Sequence, residues 1–180
     1  MTAEDVLEIL DRLDSAGVEW WIDGGWGVDA LLGRETRLHS DLDFAVRAED
    51  IGQLPTVLPE FRHVDEDQLP SAYVLRDAHG RELDFHPLEF DADGNGRQPQ
   101  LGGGRALWPR EALGSTGTIG GREVRCTSPE FQVEAHLYEG HDDVDWAAIA
   151  GLCETFALPL PAGGPPGFVQ ERRVRNRFSD

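Results

Sequence analysis

The chain has 180 residues, 39% of them hydrophobic and 28% charged, and a formal net charge of -18 in which every basic side chain is arginine and none is lysine. That length and mix describe one globular domain, or one domain with a small appendage, long enough to bury a real core. The acidic surface argues against a nucleic-acid partner, the lack of any run of ~18 apolar residues argues against a membrane span, and two scattered cysteines, Cys126 and Cys153, are too few for a disulfide framework or a zinc site. The opening stretch MTAEDVLEIL is acidic and amphipathic, unlike a signal peptide, which points to the cytoplasm. The negative charge also favours a cationic small molecule as partner, with plain solubility as the equal alternative.

Taken in order, Thr2 and Asp5 have the spacing of a capping box, and Val6, Ile9, Leu10 and Leu13 recur at helical intervals up to a stop at Gly17. Val18 to Ile22 is a β-rich, buried first strand. Gly24 and Gly25 then mark a sharp turn or a close approach to a ligand, and Trp26 to Leu32 is a short helix closed by Gly33, its N-terminal amides forming a ready anion site. Arg34 to Arg37, with His39, form a polar loop. The second strand carries Asp41 and Asp43 on one face and Leu42, Phe44 and Val46 on the other. Two carboxylates side by side on an apolar strand leave two readings open, a divalent-cation site with hard oxygen ligands or an edge strand with a solvated acidic face.

Farther on, Ala48 to Leu58 reads as a surface helix interrupted or ended by Pro55 and Pro59. Ala72–Asp77 and Glu82–Leu88 form a hairpin that sets Asp84 on a polar face. Asp91 to Gly104 is glycine-rich and reads as a loop. Thr118-Ile119 and Arg122 to Cys126 flank a Gly120-Gly121 hairpin turn, Ser128-Pro129-Glu130 starts a helix to about Tyr138, and Asp143 to Phe156 is a second helix. The Pro/Gly-rich, then basic, tail is read as extended, with disorder favoured slightly over docking on a partner subunit. The divisions are a core over 1–127, a helical part of the same domain over 128–158, and the tail over 159–180.

Three carboxylates from two neighbouring strands suit one or two Mg²⁺ ions, the Gly-Gly turn and helix N-terminus offer uncharged donors to a triphosphate, and Arg34 and Arg37 offer positive charge. The stretch GGWGVDALLGRETRLHSDLDF, continued in RELDFHPL and GGREVRCTSPEFQVEAH, closely resembles the small-molecule nucleotidyltransferases of the DNA polymerase β-like superfamily, the aminoglycoside 2″- and lincosamide types above all. The resemblance covers about Val18 to Phe156. It implies an α+β fold, a mixed sheet flanked by helices with a helical C-terminal part. It further implies that Asp41 and Asp43 bind Mg²⁺, that Asp84 completes the metal site or acts as general base, and that Gly24, Gly25, Arg34, Arg37 and His39 meet a nucleoside triphosphate. The implied reaction moves a nucleoside monophosphate, typically AMP from ATP, onto a drug hydroxyl with release of pyrophosphate, and a homodimer is one possible assembly.

Around that centre, His39 and His86 are read as partners of the acids or phosphate donors, with surface positions the commoner outcome. Trp26, Trp108 and Tyr138 are assigned to packing, Asp29 to a bond with backbone or a loop arginine, Glu82, Glu130 and His136 to solvent, and Glu89 to a reserve base. Three rivals stand beside transfer. Gly25 to Ala30 also fits a dinucleotide-binding fingerprint, against which count Asp29 and the missing run of βα units. His39, Asp41, Asp43, Asp84 and His86 together fit a metal-dependent hydrolase. A regulatory nucleotide-binding domain of the toxin–antitoxin kind is the third.

Overall fold

In the computed structural model, which describes residues 1–64, 69–138 and 143–162, helix α1 (Ala3–Ser15) starts on the capping box: Thr2 Oγ1 accepts from the Asp5 amide and Asp5 Oδ2 accepts from the Thr2 amide. Its Val6, Ile9, Leu10 and Leu13 are buried, and Gly17, at φ 75°, turns the chain toward strand β1 (Trp20–Asp23). Helix α2 (Gly24–Leu32) follows without a linker. The sequence puts a turn at Gly24-Gly25 and the helix at Trp26; here the two glycines are the first helical turn, entered at φ 56° at Gly24. Tertiary packing overrides the poor helix propensity of glycine there.

Strand β2 (Asp41–Arg47) returns antiparallel to β1. Ala48 to Gln53 is 3₁₀ rather than α, and α3 (Leu54–Val57) begins beside Pro55, so that proline starts a helix instead of breaking one. Short β3 (Arg62–His63), β4 (Tyr73–Arg76) and long β5 (Glu82–Phe90) come next. The glycine-rich Asp91–Gly104 stretch is not all loop. It holds β6 (Gly96–Pro99), which pairs with the far end of β5 and with β7 (Arg105–Trp108). Strands β8 (Ser115–Ile119) and β9 (Arg122–Cys126) close around Gly120-Gly121, both at positive φ, and α4 (Pro129–Tyr138) starts where Ser128 Oγ accepts the Phe131 amide. Helix α5 (Asp143–Thr155) completes the described chain. The tail assigned to 159–180 falls mostly outside the described residues. Among the described residues no helix is long and apolar enough to cross a membrane.

The sheet runs β3-β4-β5-β2-β1-β9-β8, with β6 and β7 extending from β5. The β2–β5 and β1–β9 pairs are parallel and the others antiparallel, so the fold is α+β with a mixed sheet. One face carries Ile22, Leu42, Phe44, Val46, Leu83 and Phe85, packed with the apolar stripe of α1 in the main core. The other face carries Trp21, Ala45 and Leu88 against Trp108 and Leu113. A third cluster joins Val28 of α2 to Val133 of α4 and Trp146, Ile149 and Leu152 of α5. The acidic positions lie on the second face, at one end of the strands.

Candidate active site

Strand register places Asp23 of β1, Asp43 of β2 and Asp84 of β5 in one row: Asp23 pairs with Asp43 across the antiparallel ladder, and Asp43 with Asp84 across the parallel one. Adjacent strands are about 4.8 Å apart, so the three aspartates occupy neighbouring positions on one face of the sheet. One is held by the protein itself. Asp23 Oδ1 accepts from Thr127 Oγ1 at 2.7 Å and from Gln132 Nε2 at 3.0 Å, tying the end of β1 to the start of α4. The other two remain half-buried. Carboxylate oxygens of Asp43 and Asp84 and a ring nitrogen of His86 all lie within 4.8 Å of one another. Asp41 sits one step along the same face of β2, in register with Glu82, which is bonded to Arg76.

Gly24 lies directly against this centre. A Cβ at position 24 would stand 2.0 Å from Asp43 Oδ2, so only a glycine leaves room for that carboxylate. Asp23, the N-cap of α2, makes no side-chain bond to the helix amides because its carboxylate is turned to Thr127 and Gln132. The N-terminal amides of α2 are therefore uncapped by a side chain, next to the acids.

A second cluster lies on the other side of the same helix end. A Cβ at Gly25 would stand 2.6 Å from both a guanidinium nitrogen of Arg37 and Nδ1 of His39, so the 34–39 loop folds onto the first turn of α2. His39 is buried, not on the surface, and its Nε2 is 2.6 Å from Asp29 Oδ2. Asp29 Oδ1 accepts from both the amide and the hydroxyl of Thr36. The aspartate does bond to backbone, while its side-chain partners among the described residues are a histidine and a threonine and no loop arginine. Trp26, fully buried, packs against His39 with ring centroids 4.8 Å apart and the rings tilted by 36°. Gly25, Arg34, Thr36 and Arg37 face His136 and α5 across a cavity of about 380 Å³. The structure thus brings Gly24 together with Asp43 and Asp84, and Gly25 with Arg34, Arg37 and His39.

A larger cleft of about 940 Å³ opens beside Asp23, Asp84 and His86, walled by Gln98 and Trp108 from the β6–β7 hairpin and by Phe131 and Glu134 from α4. Among the described residues its acids outnumber its one arginine, Arg76, which Glu82 already engages. Glu130 is exposed and His136 lines the smaller cavity, so neither faces this cleft. Glu82 does line it. Glu89 lies within β5 rather than beyond it, on the face opposite Asp84, and pairs with Arg105 at 2.8 Å. Trp108 is buried as packing requires and also borders the cleft. The side chain of Tyr138 lies outside the described residues. Asp23, Gln98, Phe131 and Glu134 carry no motif, and only the position of Asp23, directly before the double glycine, signals it in the sequence.

Two carboxylates facing each other in register, beside a glycine whose missing Cβ leaves the space open, fit a hard cation such as Mg²⁺, which takes one or two protein carboxylates and completes its shell with water and phosphate oxygens. The five-ligand hydrolase set does not assemble, since His39 is committed to Asp29. Cys126 is no nucleophile. Burial, aided by the charge of Asp23, pushes its thiol up to about 12.

Comparison with known proteins decides the family. The family model for aminoglycoside-2''-adenylyltransferase matches residues 5–151. The chain belongs to that family. A 2''-aminoglycoside nucleotidyltransferase of Escherichia coli is 30% identical over 145 residues, 78% of this chain and 77% of its own. A lincosamide resistance protein of Staphylococcus haemolyticus is 29% identical over 143 residues, 79% of this chain and 87% of its own. The lincomycin-bound crystal structure of a lincosamide antibiotic adenylyltransferase superposes with a TM-score of 0.76 at 27% identity, covering 88% of this chain and 99% of that one. The aminoglycoside 2''-enzyme in complex with adenylyl-2''-tobramycin gives a TM-score of 0.66 at 25% identity, over 86% and 88%. These relatives are antibiotic nucleotidyltransferases, and this family member is an enzyme of the same class, with the nucleotidyltransferase fold.

Proposed function

We propose that the protein transfers a nucleoside monophosphate, AMP from ATP, to a hydroxyl of a small antibiotic and releases pyrophosphate, with Mg²⁺ held by Asp41, Asp43 and Asp84. The observation that carries this reading is the pairing of Asp43 with Asp84 in register, hard against Gly24 at the uncapped end of α2. When bound, Mg²⁺ supplies positive charge to the phosphate oxygens and offsets the repulsion between the carboxylates. Gly24, Gly25 and the first amides of α2 receive the triphosphate, Arg34 and Arg37 neutralise it, and His39 packs behind them.

Asp84, at the edge of the large cleft, accepts the proton of the acceptor hydroxyl. The freed oxygen bonds to the α-phosphorus as the bond from that phosphorus to the bridging oxygen breaks, and pyrophosphate leaves with that electron pair. General-base help of this kind is worth about 10²–10⁴ in rate, and electrostatic stabilisation of the phosphoryl charge contributes more.

Asp23, Glu82 and Glu134 around the cleft, on a chain of net charge -18, favour a cationic acceptor of the aminoglycoside kind. A lincosamide is the second reading, supported by the closer superposition on the lincomycin-bound structure. The test is to incubate the protein with Mg²⁺, each labelled NTP and a panel that includes tobramycin and lincomycin. Pyrophosphate and a nucleotide adduct on one drug class are expected, and no adduct with any NTP overturns the proposal.

A further inference from the structure

The β6–β7 hairpin does more than wall the cleft. The indole Nε1 of Trp108 is a donor only, and it lies 3.0 Å from Gln98 Oε1, which fixes which way the Gln98 amide faces. The amide nitrogen then has two protons to place. One goes to the carbonyl of Ser71 at 2.8 Å and the other to His86 Nδ1 at 3.2 Å. His86 Nδ1 is therefore an acceptor without a proton, and a neutral imidazole so arranged carries its hydrogen on Nε2. Gln98 is itself anchored twice over, since Ser71 also receives the Leu101 amide through its Oγ at 2.9 Å.

His86 stands beside Asp84 on β5 and has one ring nitrogen among the acidic donors, the group of ligand type that would hold a cation. With Nδ1 committed to Gln98, the ring nitrogen left free to meet a ligand is Nε2, and a nitrogen bearing a proton is no metal ligand. It is a hydrogen-bond donor at the edge of the cleft that also contains Asp84, Gln98 and Trp108. We propose that His86 donates its Nε2–H to an oxygen of the acceptor, beside the hydroxyl that reacts, instead of binding metal, and that Gln98, held by Trp108 and Ser71, is the positioning residue that keeps it in that tautomer. The ligand class is a polyhydroxylated small molecule, with one oxygen for Asp84 to deprotonate and another for His86 to hold. This inference rests on the reading of the centre as a nucleotidyl-transfer site.

Three measurements on the full chain test it. Long-range ¹H–¹⁵N spectra, with His86 assigned by its loss in His86→Gln, are expected to show Nε2–H in the wild type. In Gln98→Glu, whose carboxylate accepts from Nδ1, the proton moves to Nδ1. Titration with Mn²⁺ is expected to give affinities within about 2-fold for wild type, His86→Gln and His86→Ala. In transfer assays with tobramycin and lincomycin, His86→Ala is expected to raise the acceptor KM at least 10-fold with kcat and nucleotide KM little changed. His86→Gln, which keeps an N–H near the same place, restores most of it. A wild-type Nδ1–H, an unmoved tautomer in Gln98→Glu, or a 10-fold loss of Mn²⁺ affinity in both His86 variants overturns the inference, whatever the turnover. Transfer to neither drug, with the spectra and the metal titration as expected, overturns the proposed function and the acceptor contact with it.

Discussion

Gly24 and Asp43 occupy each other's space: the Cβ of an alanine at 24 would stand 2.0 Å from Asp43 Oδ2, and the backbone there sits at φ 56°. Gly24→Ala therefore strains the helix entry and pushes the carboxylate off its position. A displacement of about 1 Å at a reacting centre costs on the order of 10² in rate. The expected result is a drop in kcat of at least that size with a weakened Mn²⁺ titration and a circular dichroism spectrum close to that of the wild type.

Asp29 holds the 34–39 loop through His39 and Thr36 while itself fully buried. Asp29→Ala strands the His39 side chain in the interior without its partner and releases the exposed Thr36 amide to water, a loss of about 2–4 kcal/mol. Urea unfolding should show it as a lower midpoint. Because Arg37 and His39 pack on Gly25, the nucleotide KM should rise in the folded fraction, whereas an unchanged KM would separate the loop from the triphosphate.

Asp77 caps the β4–β5 turn and pairs with Arg81, which also reaches Asp5 of α1. Burial works against its charged form, but hydrogen bonds from the Arg81 side chain and from the backbone of Arg81 and His79 outweigh that and hold the carboxyl below its ordinary 3.8. A group depressed in the folded state stabilises above its unfolded pKa and loses that contribution as pH falls through the folded one. The stability gap between wild type and Asp77→Asn should thus be full above about pH 4 and close as the pH falls below 3.8.

Strand β8 is an edge strand laid on α2, and Gly117 is where they touch. A Cβ there would meet the backbone of Ala30 at 2.4 Å. Backbone cannot swing aside as a side chain does, so Gly117→Ala is expected to cost about 1–3 kcal/mol, read as a lower Tm.

Much of this was legible along the chain because its causes are local. The Thr2–Asp5 box, the Gly120-Gly121 turn, the Ser128-Pro129 start and the alternation around Asp41 and Asp43 each depend on residues within one turn or one strand. What stayed hidden is set by contacts distant in sequence. Strand β6 exists because β5 and β7 flank a glycine-rich segment of weak β propensity. The α2 helix starts two residues early, at Gly24 and Gly25, and both are glycines because a Cβ there would meet Asp43, Arg37 and His39. His39 lies buried between exposed Leu38 and exposed Ser40, where no periodicity marks it, and Asp23 is engaged by Thr127 and Gln132, more than a hundred residues on. The Gln98–His86 bond links two strands whose pairing the sequence does not announce.

The most direct measurement compares wild type with Asp43→Asn in one assay: Mg²⁺, ATP and the panel of aminoglycosides and lincosamides, with pyrophosphate and the drug adduct both followed. The wild type is expected to release pyrophosphate and to add one nucleoside monophosphate to a drug. Asp43→Asn, equally folded, is expected to do neither. An Asp43→Asn protein that still turns over at the wild-type rate, or a wild type that forms no adduct, contradicts the assignment of a nucleotidyl-transfer centre to Asp43 and Asp84.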